Sequence, residues 1–396
     1  MAALSTVIQK ALRAGVLLAI VISLYQSAIL IMGLVRGRTR REAANPLPRF
    51  ALLICARNES GSVKGIVSDF QSQRYPRECF DIVVVAHNCS DDTVAVAREA
   101  GARVVEANDG RPGKAYAVAA GMRALPGTVD YVGVFDADSR VDENFLAAVA
   151  ASIEGAECLQ VEVVPERSDE WLSEGYGLGR RARNVMWWRP REALGLGVTI
   201  SGTGWFIRPA LHAELGPRLK TLTEDLELST LMYSEGYTVR YSSDAAVTIQ
   251  EPRTLGSSLN QRTRWARGHL RVIRRYWPKL LRRAASGDVR AMDMAIYLVA
   301  PTRVLTRSGI TLGLVIALAR SAHAVSWPLL GLGLLSEFVL PGAVGLKEKL
   351  VPATPAGATL AARHTLLSLL WFPIGFWGLL TARRESWSAM PRTGKD

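Results

Sequence analysis

Cysteine and histidine are scarce in this chain, four and five in 396 residues. Cys55, Cys79, Cys89 and Cys158 are scattered with no C-x-x-C pair, and no histidine stands at metal-ligand spacing. That excludes a disulfide framework and a cysteine–histidine zinc site, and it predicts four reduced thiols in a cytosolic fold. Acidic residues are in deficit as well: 36 Asp and Glu against 48 Lys and Arg leave a net charge of +12. Such a balance favours anionic partners, whether phospholipid headgroups, nucleotide phosphates or nucleic acid. A disordered chain is excluded by 49% hydrophobic residues. The positive mean hydropathy, +0.12, requires the apolar residues to be clustered.

They cluster at the two ends. Ala14 to Val35 is a run of 22 residues without a charge, long enough at about 1.5 Å per residue to cross a hydrocarbon layer of about 30 Å. It ends in RGRTRR rather than in the small residues of a cleavage site, which predicts a retained transmembrane helix. Arg36, Arg38, Arg40 and Arg41 outweigh Lys10 and Arg13, placing the N-terminus outside and the following residues in the cytosol. Apolar density returns after about Ala291, with candidate spans near 293–319, 324–346 and 357–381. Arg303 and Arg307 suit an interfacial or re-entrant segment, and the basic tail at 383–396 suits the cytosol. Two full crossings plus one interfacial segment satisfy both. The expected divisions are thus 1–44, a membrane helix and basic linker; 45–285, a cytosolic α/β domain; 286–382, membrane or interfacial helices; and 383–396, a cytosolic tail.

Between the ends, FALLIC (50–55), IVVVA (82–86), YVGVF (131–135) and CLQVEVV (158–164) are continuous apolar runs of strand length, and helical patterns near 61–72, 91–100 and 113–124 separate the first three. Strands buried on both faces with crossover helices predict a parallel sheet, whose ligands bind beyond the carboxyl ends of the strands. The residues there are Arg57, Asn58 and Glu59; His87 through Asp92; and Asp136-Ala137-Asp138-Ser139. Two carboxylates one residue apart repel each other unless they share a divalent cation that also grips a diphosphate. Taken alone, the pair also reads as a turn leading to an Asp142 cap. Gly110-Arg111-Pro112-Gly113-Lys114 could wrap a phosphate, although it is not a Walker sequence.

Further on, Ser201-Gly202-Thr203-Gly204 is a small-residue turn before an apolar strand, where a ligand can approach the backbone. Thr223-Glu224-Asp225 opens a helix, and its plainer reading is a cap with acids at the helix N-terminus. Gln261-Arg262-Thr263-Arg264-Trp265 begins a stretch to Arg283 with nine Arg or Lys and no acid, which also reads as a basic amphipathic helix on a membrane surface.

In this order, Asn58-Glu59, N-C-S-D-D-T at 88–93, Gly113-Lys114, Asp136-x-Asp138, Gly202-Thr203-Gly204, Thr223-Glu224-Asp225 and Gln261-x-x-Arg264-Trp265, the set resembles the membrane-embedded family 2 glycosyltransferases, the group of cellulose, chitin, hyaluronan and poly-N-acetylglucosamine synthases. The resemblance spans about 50–270 and includes Trp387 with Pro391-Arg392-Thr393. It implies a GT-A fold, a nucleotide-sugar donor (UDP-hexose or UDP-N-acetylhexosamine), Mg²⁺ or Mn²⁺ on Asp136 and Asp138, and inversion at the anomeric carbon. On this resemblance Asp225 is the general base beside Glu224, with Asp138 completing the catalytic acids. Asn58, Glu59, Asp91, Lys114 and Asp136 hold the donor, and Gly202, Thr203, Gln261, Arg264 and Trp265 face the acceptor or diphosphate. Where many relatives carry an aspartate pair after the second strand, this chain has Ala86 and His87.

The resemblance implies synthesis of a growing polysaccharide at the cytosolic face of an inner membrane, with an export partner. The alternative is addition of one sugar to a lipid or glycolipid, for which Arg180, Arg181, Arg183, Trp187, Trp188, Arg189 and Arg191 would suit an amphiphilic or phosphorylated acceptor. The basic residues flank apolar segments, so positive-inside topology explains them without nucleic acid.

Overall fold

A computed structural model describes residues 2–37, 46–111, 113–125, 127–221, 223–300, 303–320 and 326–382. The expected tail at 383–396, the linker arginines Arg38, Arg40 and Arg41, and Pro112 of the glycine-rich loop lie outside the described residues.

Seven strands form one sheet: β1 (Phe50–Ala56), β2 (Phe80–His87), β3 (Arg103–Ala107), β4 (Tyr131–Asp136), β5 (Cys158–Pro165), β6 (Trp205–Ile207) and β7 (Val239–Ile249). Their order is β3-β2-β1-β4-β6-β5-β7, parallel throughout except for β6, which runs antiparallel to both neighbours. The four apolar runs read from the sequence are β1, β2, β4 and β5. Alternate residues feed opposite faces, as the period of a strand requires. Leu53, Val83, Val85, Val132 and Val134 pack on one side, while Phe50, Leu52, Ile54, Val84 and Phe135 pack on the other.

The helices are α1 (Ala2–Arg36), α2 (Val63–Gln71), α3 (Thr93–Glu99), α4 (Lys114–Arg123), α5 (Phe145–Ile153), α6 (Trp171–Arg183), α7 (Arg189–Leu194), α8 (Pro209–Leu215), α9 (Glu224–Glu235), α10 (Leu255–Ala285), α11 (Val289–Val299), α12 (Arg303–Arg320), α13 (Trp327–Leu334), α14 (Leu340–Lys347), α15 (Pro355–Leu369) and α16 (Trp371–Leu380). Single wide π turns join α6 to α7 and α13 to α14.

Among the described residues two helical stretches are long and apolar enough to cross a membrane, Gln9–Arg36 and Trp327–Lys347. The other expected spans are built differently. The stretch at 293–319 is two helices: α11 packs on α10, and α12 packs on α1. The stretch at 357–381 is α15, packed on α6, and α16, packed on α10. Small residues set these contacts. A Cβ on Gly33 of α1 would overlap Pro190, and one on Gly378 of α16 would stand 2.9 Å from the Ala266 methyl of α10.

The first helix is also tied to the sheet domain by polar groups. Tyr25 donates to Asp293 Oδ1 (3.0 Å), and Arg191 holds the same carboxylate with Nε and Nη2 (2.8 and 3.0 Å).

On the α5 side of the sheet the rings of Phe50, Phe135, Phe145 and Phe206 meet at tilted or edge-on angles. Gly133 makes room for them, since a Cβ there would stand 2.6 Å from Phe206 and 2.9 Å from Phe135. Gly133→Ala is therefore expected to cost about 1–3 kcal/mol through overpacking, measured as a lowered denaturation midpoint of the full-length protein in detergent.

Candidate functional site

The carboxyl ends of β1, β2 and β3 open into three loops that asparagines stitch together. Asn58 and Asn88 both take left-handed backbone (φ 57° and 53°), a conformation asparagine tolerates better than most residues. Asn58 Oδ1 accepts the Ser90 N–H (2.8 Å), linking the first loop to the second. Asn88 Oδ1 accepts the Gly110 N–H (3.0 Å), and its amide donates to the Arg111 carbonyl (3.0 Å), linking the second to the third. Glu59 N–H donates to Thr93 Oγ1 (2.8 Å). Asp91 accepts from Ser60 N–H (3.1 Å) and from the Thr93 N–H (3.1 Å) and hydroxyl. Burial raises the Asp91 pKa, but the hydrogen bonds from Thr93 and Ser60 outweigh it and leave the carboxyl below its usual range. His87 is buried with Nε2 3.2 Å from Asp109 Oδ1.

Across from this wall lies the acidic centre. Lys114, the first residue of α4, donates to Asp136 Oδ1 (2.6 Å) and to the Gly202 carbonyl (2.7 Å). Burial opposes the Lys114 charge, yet Asp136 beside it holds the ammonium above the usual lysine range. Thr203, fully enclosed, accepts the Asp136 N–H at Oγ1 (3.1 Å) and pairs with the Ser139 hydroxyl (2.9 Å). Glu224 and Asp225 begin α9. Asp225 Oδ1 accepts the Leu226 N–H (2.8 Å), while Oδ2 lies 3.6 Å from where a Cβ on Gly202 would stand. Gly202, at φ 78°, keeps that space open.

Burial, then the Asp225 carboxylate, push Glu224 up to about 7 against the charges of Lys114 and Arg264. Burial raises Asp225 too, opposed by the Leu226 hydrogen bond and the same two cations. Arg264 is held near both acids because α10 packs directly on the start of α9: a Cβ on Gly268 would overlap the Thr223 side chain. Thus Lys114, Asp136, Gly202, Thr203, Glu224, Asp225 and Arg264 converge.

Asp138 lines an adjoining hollow with Ser62, Arg140, Glu166 and Gln250. Gln261 and Trp265 lie half-buried in the first turns of α10. Among the described residues no three His, Cys, Asp or Glu side chains gather to cage a metal. Asp136 and Asp138 offer two hard carboxylates, a donor set that fits Mg²⁺ or Mn²⁺ when substrate phosphates and water complete the coordination.

Several site-forming residues carried no clear signal in the sequence. Gln160, buried in β5, donates to the Thr203 and Gly204 carbonyls (3.0 and 3.1 Å) and accepts the Ser201 N–H (2.8 Å), fixing the turn against Lys114. A polar residue in a mostly apolar strand, which it shares with Glu162, was its only sign. Glu227, also buried, accepts from the Lys220 and Thr221 N–H groups and from the Tyr276 hydroxyl (3.0 Å), anchoring the start of α9 to α10. The Arg262 guanidinium stands over Tyr176 (3.8 Å), Trp371 (5.5 Å) and Trp265 (5.7 Å), so three aromatic rings from α6, α10 and α16 surround one cation.

Four of the five arginines at 180–191 are used internally. Arg180 pairs with Glu251, Arg189 with Glu162 and Arg191 with Asp293, and Arg183 donates to Ser201 Oγ (3.1 Å) while stacked on Trp188 (4.3 Å). These four are bound by protein partners, not set out toward an acceptor. All four cysteines are free, and burial pushes the Cys55 thiol up to about 12.

A family model described as "Glycosyltransferase like family 2" matches residues 48–268. The chain is 23% identical to a beta-monoglucosyldiacylglycerol synthase of Nostoc sp., over 78% of this chain and 67% of that one. It is 26% identical to a poly-beta-1,6-N-acetyl-D-glucosamine synthase of Staphylococcus aureus, over 58% and 56% respectively. The chain thus spans between half and two thirds of the length of these curated relatives. The mannosyltransferase PcManGT from Pyrobaculum calidifontis, solved in complex with GDP-Man and Mn²⁺, superposes over 94% of this chain and 99% of its own with a TM-score of 0.58 at 16% identity. The likeness shows a shared fold, the GT-A arrangement of a mostly parallel sheet.

Because the folded-state pKa of Glu224 is raised above its unfolded value of about 4.5, its contribution to stability is complete below that value and is lost as pH rises through about 7. Denaturation of the ligand-free protein from pH 4.5 to 7.5 is expected to show this decline, and Glu224→Gln to flatten it.

Proposed function

The chain belongs to glycosyltransferase-like family 2, nucleotide-sugar-dependent transferases, and on that premise we propose that it moves one sugar, with inversion, from a nucleotide sugar to a lipid or glycolipid acceptor at the cytosolic face of the cell membrane. The observation that carries the reading is the pair Glu224 and Asp225, held beside Lys114, Asp136 and Arg264 at the start of α9, which packs on α10, the helix that α16 covers. The glycolipid synthase relative matches 78% of the chain, against 58% for the polysaccharide synthase. Growth of a polysaccharide, with an export partner, is the second reading, supported by that latter relative.

In the proposed reaction the acceptor hydroxyl attacks the anomeric carbon from the face opposite the diphosphate. The new glycosidic C–O bond forms as the bond to the phosphate oxygen breaks, and the nucleoside diphosphate departs. Asp225 takes the hydroxyl proton, a role that its upward-shifted pKa suits. Glu224 lowers the local tolerance for negative charge and keeps the pair from both ionising early. Asn58, Glu59, Asp91 and Lys114 hold the nucleotide, while Gly202, Thr203, Gln261 and Arg264 receive the diphosphate and acceptor. Trp265 offers a flat face to a sugar ring. Mg²⁺ or Mn²⁺ on Asp136 and Asp138 would neutralise charge on the leaving diphosphate. Residues 45–285 form the cytosolic catalytic part in this reading, with 1–44 and 286–382 at the membrane and 383–396 returning to the cytosol.

Membranes containing the full-length protein, given labelled UDP- and GDP-sugars in turn, are expected to yield a product with one added sugar that extracts into organic solvent; no transfer from any donor would sink the proposal. Chelation should stop transfer, and Mg²⁺ or Mn²⁺ should restore it. Asp225→Asn should lower turnover by about 10²–10⁴-fold while donor binding, read by calorimetry, is retained.

A further inference from the structure

Arg262 lies inside the Gln261–Trp265 segment, yet it takes no part in the reaction proposed above, and its surroundings differ from those of the arginines on α6 and α7. Arg180 pairs with Glu251, Arg189 with Glu162 and Arg191 with Asp293. Arg262 has no carboxylate within ion-pair distance among the described residues, and Glu251, the acid whose charge it feels, is taken by Arg180. Rings and hydroxyls meet its charge instead. The guanidinium carbon stands 3.8 Å from the Tyr176 ring centre, a stacking contact, and 5.5 and 5.7 Å from those of Trp371 and Trp265. All three fall within the roughly 6 Å over which a cation is attracted to an aromatic face. A relay of hydroxyls fixes the guanidinium: Arg262 Nε donates to Ser258 Oγ (3.1 Å), and Ser258, fully buried, donates to the Tyr176 hydroxyl (2.6 Å).

The frame around this cation is rigid because three helices supply it. Tyr176 belongs to α6 and is buried, and Trp371 begins α16. The other end of α16 is seated on α10, where Gly378 abuts Ala266 and Arg267 Nε donates to Thr381 Oγ1 (2.9 Å). Trp265 has no such anchor. Its indole makes no hydrogen bond among the described residues, so packing and Arg262 set the angle of the ring. Three residues apart on α10, Arg262 and Trp265 are neighbours on one helix face.

We propose that Arg262 is the positioning residue for Trp265: clamped on Tyr176, its guanidinium holds the indole at the angle at which the ring face receives the sugar of a glycolipid acceptor. The acceptor rests on the functional reading above; the positioning rests on the contacts alone. Arg262 itself touches no reacting atom and moves no proton.

Full-length protein carrying fluorotryptophan, in a polyoxyethylene detergent, gives a fluorine NMR resonance for Trp265, identified by its loss in Trp265→Phe. Arg262→Gln should shift or broaden that resonance. Hexyl β-glucoside, the probe for the acceptor sugar, should move the wild-type resonance saturably. It should bind Arg262→Gln about 3- to 30-fold more weakly, the range of one cation–π contact, with donor affinity by calorimetry unchanged. With the glucoside as acceptor for transfer, Arg262→Gln should raise its KM by the same factor and leave kcat unchanged. In a Trp265→Ala background the further rise should be less than about twofold, because the two residues act as one.

A Trp265 resonance or a glucoside affinity left unchanged by Arg262→Gln, no saturable movement in wild type, or full additivity with Trp265→Ala would overturn the proposal. Arg262→Lys, which keeps the charge and loses the flat face that stacks on Tyr176, carries the same test if Arg262→Gln does not fold. Absence of transfer by wild type, with the resonance and affinity changes intact, would count against the transferase reading only.

Discussion

One ammonium group governs the acidic centre. Asp136, Glu224 and Asp225 come from the end of β4 and the start of α9, and three neighbouring carboxylates repel one another. Lys114 reaches Asp136 and the Gly202 carbonyl at once, so one charge both eases the repulsion in the cluster and ties the turn before β6 to the start of α4. Arg264 adds a second cation from α10. The upward shifts of Glu224 and Asp225 show that these cations only partly offset burial, which leaves the pair able to take up a proton near neutrality.

Support for that arrangement lies in groups that touch no substrate in the proposed reaction. Gln160 fixes the turn that carries Gly202 and Thr203, and Glu227 fixes the approach to α9 from beneath. Such buried, fully engaged polar residues specify a geometry more than they add stability, because removing one partner leaves others unsatisfied. On the far side, Arg191 and Tyr25 share Asp293, so α1 is docked on the sheet domain through a directional contact and not through apolar packing alone.

The sheet was legible where strands are buried on both faces. β1, β2, β4 and β5 stand out as apolar runs, while β3, RVVEA at the sheet edge, and β7, whose centre reads YSSDAA beside a register shift, mix polar residues into the pattern and escape it. Motif order brought Lys114, Asp136, Glu224, Asp225 and Arg264 together before any coordinates did; the first four sit where a strand ends or a helix begins, and Arg264 lies inside α10. Spacing along the chain was silent on pairing. The arginines at 180–191 looked available for a ligand, but their acidic partners, Glu162, Glu251 and Asp293, are distant in sequence. Hydropathy likewise counted apolar residues at 293–319 and 357–381 without seeing that these break into helices that lean on α1, α6 and α10.

The two left-handed asparagines have a mechanical consequence. Asn58 joins the first loop to the second and Asn88 joins the second to the third, so the wall behaves as a chain of two clasps instead of three separate flaps. Glu59 to Thr93 and Ser60 to Asp91 reinforce the first clasp, and His87 beside Asp109 reinforces the second, so the three loops are held as a unit. A ligand that seats against any one loop therefore steadies all of them, and recognition of its far end is coupled to recognition of its near end through two side-chain amides gripping backbone groups.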